Sequence, residues 1–248
     1  MRQHWLRIGL VLSILIPGFC RAAVAQTSIS VYTGTSFTHQ SDLRIQQLST
    51  NTDATFGDVS WEARPFAQAP YYGIRLTRFF ERAPHLGINF DFTHYKIYAR
   101  TDQVVTVTGL WNGSVVNEAA GLDKRVQDFN ISHGVNMVGI DLLYRWMKSV
   151  STSFPRGRVQ PYVGVGPVYY VLHSESTINN RTTNGRYQGS GLGYQVLGGL
   201  QYGLARRVGI FAEAKFNAGH ANVDTADQGR ADTQLRTLHA LAGLSFRF

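Results

Sequence analysis

Residues 239–248 read HALAGLSFRF, and their alternation decides the fold. Taken two at a time back from the end, Phe248, Phe246, Leu244, Ala242, Ala240 and then Leu238 are all apolar. The intervening Arg247, Ser245, Gly243 and His239 are small or polar, with Leu241 as the exception. A period of two marks a strand, because successive side chains point to opposite faces. The stretch is a strand with one apolar face, and the fold depends on what that face touches.

The opposite terminus predicts a compartment. MRQHWLRIGLVLSILIPGFCRAAVAQ places Arg2 and Arg7 before an apolar run from Ile8 to Ile16, then closes on Ala23-Val24-Ala25. Positive charge, a short apolar core and an A-x-A site make residues 1–25 a secretory signal peptide, with 26–248 the exported domain. The apolar run is shorter than the roughly 20 residues a membrane-spanning helix needs. Cys20 follows Pro17-Gly18-Phe19, and bulky Phe19 stands where lipoprotein processing wants a small residue. Cleavage after Ala25 removes the single cysteine, which excludes disulfides and thiol chemistry from the exported domain.

The formal charge of +8 falls to +5 without the leader's Arg2, Arg7 and Arg21. Only 16% of residues are charged, against about 25% in ordinary soluble proteins. A water-facing domain needs a more charged skin. If the exported chain enters a membrane, it must enter as strands.

Alternation recurs along the chain. Ile29, Val31, Thr33, Thr35 and Phe37 oppose Ser30, Tyr32, Gly34 and Ser36; Tyr72, Ile74 and Leu76 oppose Gly73, Arg75 and Thr77. Leu86, Ile88, Phe90 and Phe92 oppose Gly87, Asn89, Asp91 and Thr93. In the fourth strand Phe129, Ile131, Val135 and Met137 make the apolar, lipid-facing series, with a phase slip expected near Gly139. Val163, Val165, Tyr169 and Val171 follow, and three further strands bring the number to eight. Short links (81–85, 148–158, 205–207) alternate with long polar loops (39–70, 101–125, 174–186, 219–233). That predicts an all-β fold: an eight-stranded antiparallel transmembrane β-barrel with short periplasmic turns and long extracellular loops. A lipocalin-like soluble barrel is the alternative, but the Gly, Ser, Asn and Gln of the polar faces suit a narrow lumen better than a water-facing surface. Arg75, Asp91, Glu213 and Lys215 share lumen phase and are expected to form a structural ion-pair cluster.

Polar residues in lipid-facing phase are the candidates for chemistry. The series of Phe90 and Phe92 continues to His94, Lys96 and Tyr98. His133 lies between Ile131 and Val135, and the series of Tyr169 and Val171 continues to His173 and Glu175. All sit toward the long loops, on adjacent antiparallel strands about 4.8 Å apart. Imidazoles with a carboxylate suit a divalent redox metal with open positions, and Lys96, with Tyr98 beside it, suits the phosphates of lipid A. An ordinary interfacial girdle of His, Lys and Tyr is the plainer alternative. Ser174 points away from His173 and Glu175, so HSE is no triad.

APYYGIRLTRFF, DFTHYKIYAR, FNISHGVNMVGIDLLYRW, VQPYVGVGPVYYVLHSE and FAEAKF together resemble the outer-membrane barrel family that includes lipid A oxidase. The most specific pieces are His94-x-Lys96, His133-Gly134-x-Asn136, the P-Y-V-G-x-G of residues 161–166, and His173-x-Glu175. Leu172 stands where that family often has proline, and Ala214 where it often has tyrosine. The resemblance implies oxygen-dependent oxidation of the proximal glucosamine of lipid A to aminogluconate, with O2 as co-substrate. Strand phase nominates His94, His133, His173 and Glu175 as catalytic or metal-ligating residues. The rival is a non-enzymatic OmpA-like barrel, structural or adhesive, acting through its loops.

The alternating tail with Phe246 and Phe248 resembles the C-terminal signal read by the barrel-assembly machinery. The expected setting is a monomer in the outer membrane of a Gram-negative bacterium, facing lipopolysaccharide. No feature points to nucleic acid.

Overall fold

The computed structural model describes residues 26–248, so the expected leader and Cys20 lie outside the described residues. In chain order the strands are β1 (Gln26–Thr38), β2 (Ser41–Gln47), β3 (Thr52–Val59), β4 (Trp61–Glu62), β5 (Tyr72–Phe79), β6 (Leu86–Ala99), β7 (Val104–Trp111) and β8 (Ser114–Gly121). There follow β9 (Val126–Arg145), β10 (Val159–Leu172), β11 (Glu175–Ile178), β12 (Arg181–Asn184), β13 (Gln188–Gly203), β14 (Val208–Thr225) and β15 (Gly229–Arg247).

Eight of these make an antiparallel ring in the order β1-β5-β6-β9-β10-β13-β14-β15. β15 returns to β1, from Ser28 opposite Arg247 to Thr38 opposite Thr237. Closure leaves the ring no edge, which satisfies every wall strand internally as a bilayer demands. Ile29, Ile74, Phe90, Val138, Val165, Val196, Ile210 and Leu244 face outward as an exposed apolar belt. Such a belt is stable in lipid and not in water. The tail strand behaves as its alternation requires: Phe246 and Phe248 are exposed on the belt, while Arg247, Ser245 and His239 are buried inside.

The lumen cluster forms from the four residues expected. The Arg75 guanidinium donates to both Glu213 oxygens, at 2.6 and 2.8 Å, and to Asp91 at 3.2 Å. Lys215 pairs with Asp91, Tyr32 donates to Asp91 at 2.7 Å, and Tyr162 donates to Glu213 at 2.8 Å. Two cations and two carboxylates therefore neutralise one another at mid-height, where a lone buried charge would be prohibitive.

Two expectations fail. The long connections are not loops but hairpins that extend the wall: β2 continues from β15, followed by β3, β7 and β8, while β11 continues beside β9. Two-residue turns close them at Asn112-Gly113 and at Asn179-Asn180, all four residues at positive φ. Positive φ at both central positions is the type I′ geometry that matches strand twist. Around these hairpins the interior is apolar, with Leu43, Ile45, Phe56, Val107 and Ile97 fully buried. The polar lumen expected along the whole barrel therefore occupies only its membrane half.

The phase of β9 is also the reverse of the one expected. Phe129, Ile131, Val135 and Met137 point inward and are at most 1% exposed, whereas Val138, Ile140 and Leu142 face lipid. The irregularity lies at Ser132–Gly134 and not near Gly139, because Tyr95 pairs with Val135 and Ile97 with Ile131. Three residues of β9 thus face the single Lys96, and the strand leaves the bulge with its odd-numbered side chains still inside.

Candidate functional site: a histidine cluster on the outer wall

The bulge gives the site its shape. His133 is odd-numbered and would point inward in a regular strand, but the bulge places it outside with its side chain 57% exposed. Gly134 makes this possible: its φ is 122°, and a Cβ there would lie 2.3 Å from the His94 ring. Any other residue would be strained in backbone and would collide with that imidazole.

At the same height β10 runs out. His173 N–H donates to the Gly134 carbonyl at 3.3 Å, and β11 then takes over the pairing with β9, from Glu175 opposite Asn130. His133 Nδ1 lies 3.1 Å from Glu175 Oε1, and Ser132 Oγ donates to Glu175 Oε2 at 3.0 Å. The His133 and His173 rings are 4.6 Å apart, and Tyr187 packs edge-on to His173 at 4.8 Å. Tyr187 also donates to the His133 carbonyl at 3.3 Å. His133, His173 and Glu175 are thus brought together as the strand phases suggested, although His133 arrives by the bulge. Ser132 and Tyr187 complete the cluster and were not anticipated. The S-H-G of residues 132–134 was the available signal, since glycine beside a phase conflict marks a bulge.

The β6 residues are set apart. His94 stacks on Tyr72 at 4.9 Å and its Nδ1 bonds Asn136 Oδ1 at 2.9 Å. Residues 63–71 leave the wall between Glu62, opposite Tyr98, and Tyr72, opposite His94. Nine residues spanning what three cover on β6 must arch over its outer face. Ala69 within the arch has a φ of 57°, a left-handed conformation costing an L-residue roughly 1–2 kcal/mol. Lys96 is consequently 9% exposed, its ammonium bonded to the Gln68 carbonyl, and Tyr98 lies under the Arg64 guanidinium at 4.3 Å. The open phosphate-binding position expected of Lys96 and Tyr98 is covered.

Burial pushes the Asp128 carboxyl, outside the membrane half, above the usual carboxylate value; its bond from Asn130 opposes this, and the charge of Glu175 adds to it.

Two tests bear on chemistry. His94 Nε2 and His173 Nδ1 are buried without hydrogen-bond partners, as free ligand atoms would be. Yet among the described residues no three His, Cys, Asp or Glu side chains are grouped to hold a metal ion. The donor types suit a divalent metal and their arrangement does not. Ser132 Oγ lies 3.5 Å from His133 Nδ1, the nitrogen that Glu175 also takes. A serine-hydrolase relay needs serine and acid on opposite ring nitrogens. What remains is a carboxylate-oriented imidazole whose Nε2 has no partner among the described residues, one rung beyond the apolar belt.

No family model and no curated protein matches the chain. Solved structures do. The outer membrane protein OprG from Pseudomonas aeruginosa superposes with a TM-score of 0.54 at 13% identity, over 90% of this chain and 96% of that one. Neisserial surface protein A aligns at 14% identity with a TM-score of 0.41, over 92% and 100% of the two chains. With the closed ring, its apolar belt and its polar lumen, the OprG superposition shows that this chain has the fold of the small eight-stranded outer-membrane β-barrels.

Proposed function

We propose that the protein acts on lipid A from the outer wall of its barrel, oxidising the C1 aldehyde of the proximal glucosamine to the carboxyl of aminogluconate, with water supplying the added oxygen and O2 taking the two electrons and two protons as hydrogen peroxide. One observation carries this: His133, His173 and Glu175 converge outside the wall, one rung above the belt, where the sugars of an outer leaflet lie. In this reading Glu175 orients His133, whose free Nε2 handles a proton of the sugar, and Tyr187 walls the cluster beside His173. Phe246 and Phe248 serve as the signal for the barrel-assembly machinery, and the protein works as a monomer in the outer membrane.

A second reading, a non-enzymatic barrel presenting its outer half to a partner, draws on the hairpins and the apolar core they share with the ring. Mass spectra of lipid A from expressing cells, grown with and without oxygen, separate the two. A gain of one oxygen on the proximal sugar, oxygen-dependent and abolished by Glu175→Gln and His133→Ala, is the expected result. Unchanged lipid A with the barrel folded in the membrane overturns the enzyme and leaves the presenting barrel. Loss of an acyl chain likewise overturns the oxidation.

A further inference from the structure

We propose that the periplasmic mouth of the barrel is a phosphate-binding site, independent of the outer cluster. A cavity of about 660 Å³ opens there, lined by Gln26, the 153–157 turn, Arg206, Arg207, Arg247 and Phe248. Several arginines line it, and no Asp or Glu side chain does.

Arg247 is 8% exposed, and its Nε and Nη2 have no hydrogen-bond partner. Arg145, at 1% exposure, does not line this cavity and belongs to a separate small pocket with Phe79 and Gln160. It donates to the Pro84 carbonyl at 2.9 Å and to the side-chain oxygens of Gln26 and Gln160 at 2.5 and 3.0 Å. Its guanidinium rests 3.6 Å over the Phe79 ring, and its Nη2 has no partner.

Arg75 shows what this barrel does with a buried guanidinium that is purely structural: two carboxylates contact it. Arg145 and Arg247 have amide and carbonyl partners only, or none, and an uncompensated buried cation is strongly unfavourable. A ligand supplying negative charge resolves the mouth. Phosphate fits better than carboxylate, since Arg156, Arg206, Arg207 and Arg247 all line the cavity and a phosphate offers more acceptor oxygens and more charge. Phe154, Pro155 and Phe248 add an apolar flank. The phosphate can belong to a phospholipid headgroup of the inner leaflet or to a soluble compound.

Native mass spectrometry of the folded barrel, released from a nonionic detergent, tests this with two probes: dioleoyl phosphatidylglycerol and inorganic pyrophosphate. Arg247→Gln is expected to weaken binding about tenfold or more, the worth of a hydrogen bond to a charged group. The Arg206→Gln/Arg207→Gln pair, on an exposed turn, is expected to weaken it less and serves if Arg247→Gln does not fold. Heat-modifiable migration reports folding for each. A lipid adduct lost in the variants assigns the headgroup, and a pyrophosphate adduct lost in them assigns a soluble ligand. No adduct with either probe, or adducts that both variants retain, overturns the site.

Discussion

In the membrane half, β10 turns Val163, Val165 and Tyr169 outward and Tyr162 inward; in the outer half, β2 turns Asp42, Arg44 and Gln46 outward and Leu43 and Ile45 inward. Both are period-two strands of one continuous sheet, with opposite polarity. The same reversal happens within single strands. β14 carries Glu213, Lys215 and Asn217 inside and then, without changing phase, Ala221 and Val223 inside. Backbone pairing fixes which side chains point in, and the medium outside decides what they are. Lipid takes the apolar set and leaves polar groups to pair in the lumen; water takes the polar set and leaves an apolar core.

The largest expected break of this contrast is at Glu213. Removing it by Glu213→Ala leaves Arg75 and Lys215 sharing Asp91, with a buried net positive charge, and costs on the order of 3–5 kcal/mol. Urea unfolding in vesicles measures it. A cost under about 1 kcal/mol would mean that water reaches the cluster and that the lumen is not the dry interior its burial indicates.

Next comes Leu43→Ala, which opens the apolar core of the outer half at about 2–5 kcal/mol. The loss should be local: hydrogen exchange in β2, β3 and β7 accelerates while the ring keeps its heat-modifiable migration. If ring and hairpins melt together, the two halves form one cooperative unit and the contrast is one of composition only.

A matched pair probes the outside. Val165→Arg places a charge in the apolar belt and costs about 2–4 kcal/mol. Thr106→Arg, on the exposed face of β7, changes stability by no more than about 0.5 kcal/mol. Equal costs in vesicles would place Val165 outside the bilayer.

This reversal explains what could be read from the sequence. The terminal strand, the ring of eight and the Arg75–Glu213 cluster were legible, because in the membrane half an apolar residue in phase means outward. The rule inverts above the belt. Phe129, Ile131, Val135 and Met137 therefore read as lipid-facing when they are core. Asn112-Gly113, with Val105 and Val107 in alternation before it and Val115-Val116 after it, carried the hairpin signal, but the polar outer face of β7 and β8 made the stretch look like a loop. In the candidate site, His173 and Glu175 followed from phase alone. His133 reached the right face for a different reason, since a three-residue bulge is invisible to a period-two count. The cover over Lys96 comes from the arch of residues 63–71, a nonlocal contact with no periodicity to read.

The smallest expected effect tests where each half keeps its ion pairs. Arg44 and Asp53 form a two-pronged pair on the outer face, both bonds 2.8 Å, with side chains 51% and 45% exposed. The Arg44 hydrogen bond holds the Asp53 carboxyl below its ordinary value. A depressed carboxylate adds stability above its unfolded pKa, about 3.9, and loses that contribution as pH falls through the lower folded value. Exposure and salt screen the pair, so Asp53→Asn should cost less than about 1 kcal/mol at pH 7, shrink further in 1 M salt, and approach zero near pH 2. Glu213→Ala, measured in the same salt series, should keep nearly its full cost, because counterions do not enter a dry lumen. Equal salt sensitivity of the two variants would show that the membrane half is as wet inside as the outer half is outside.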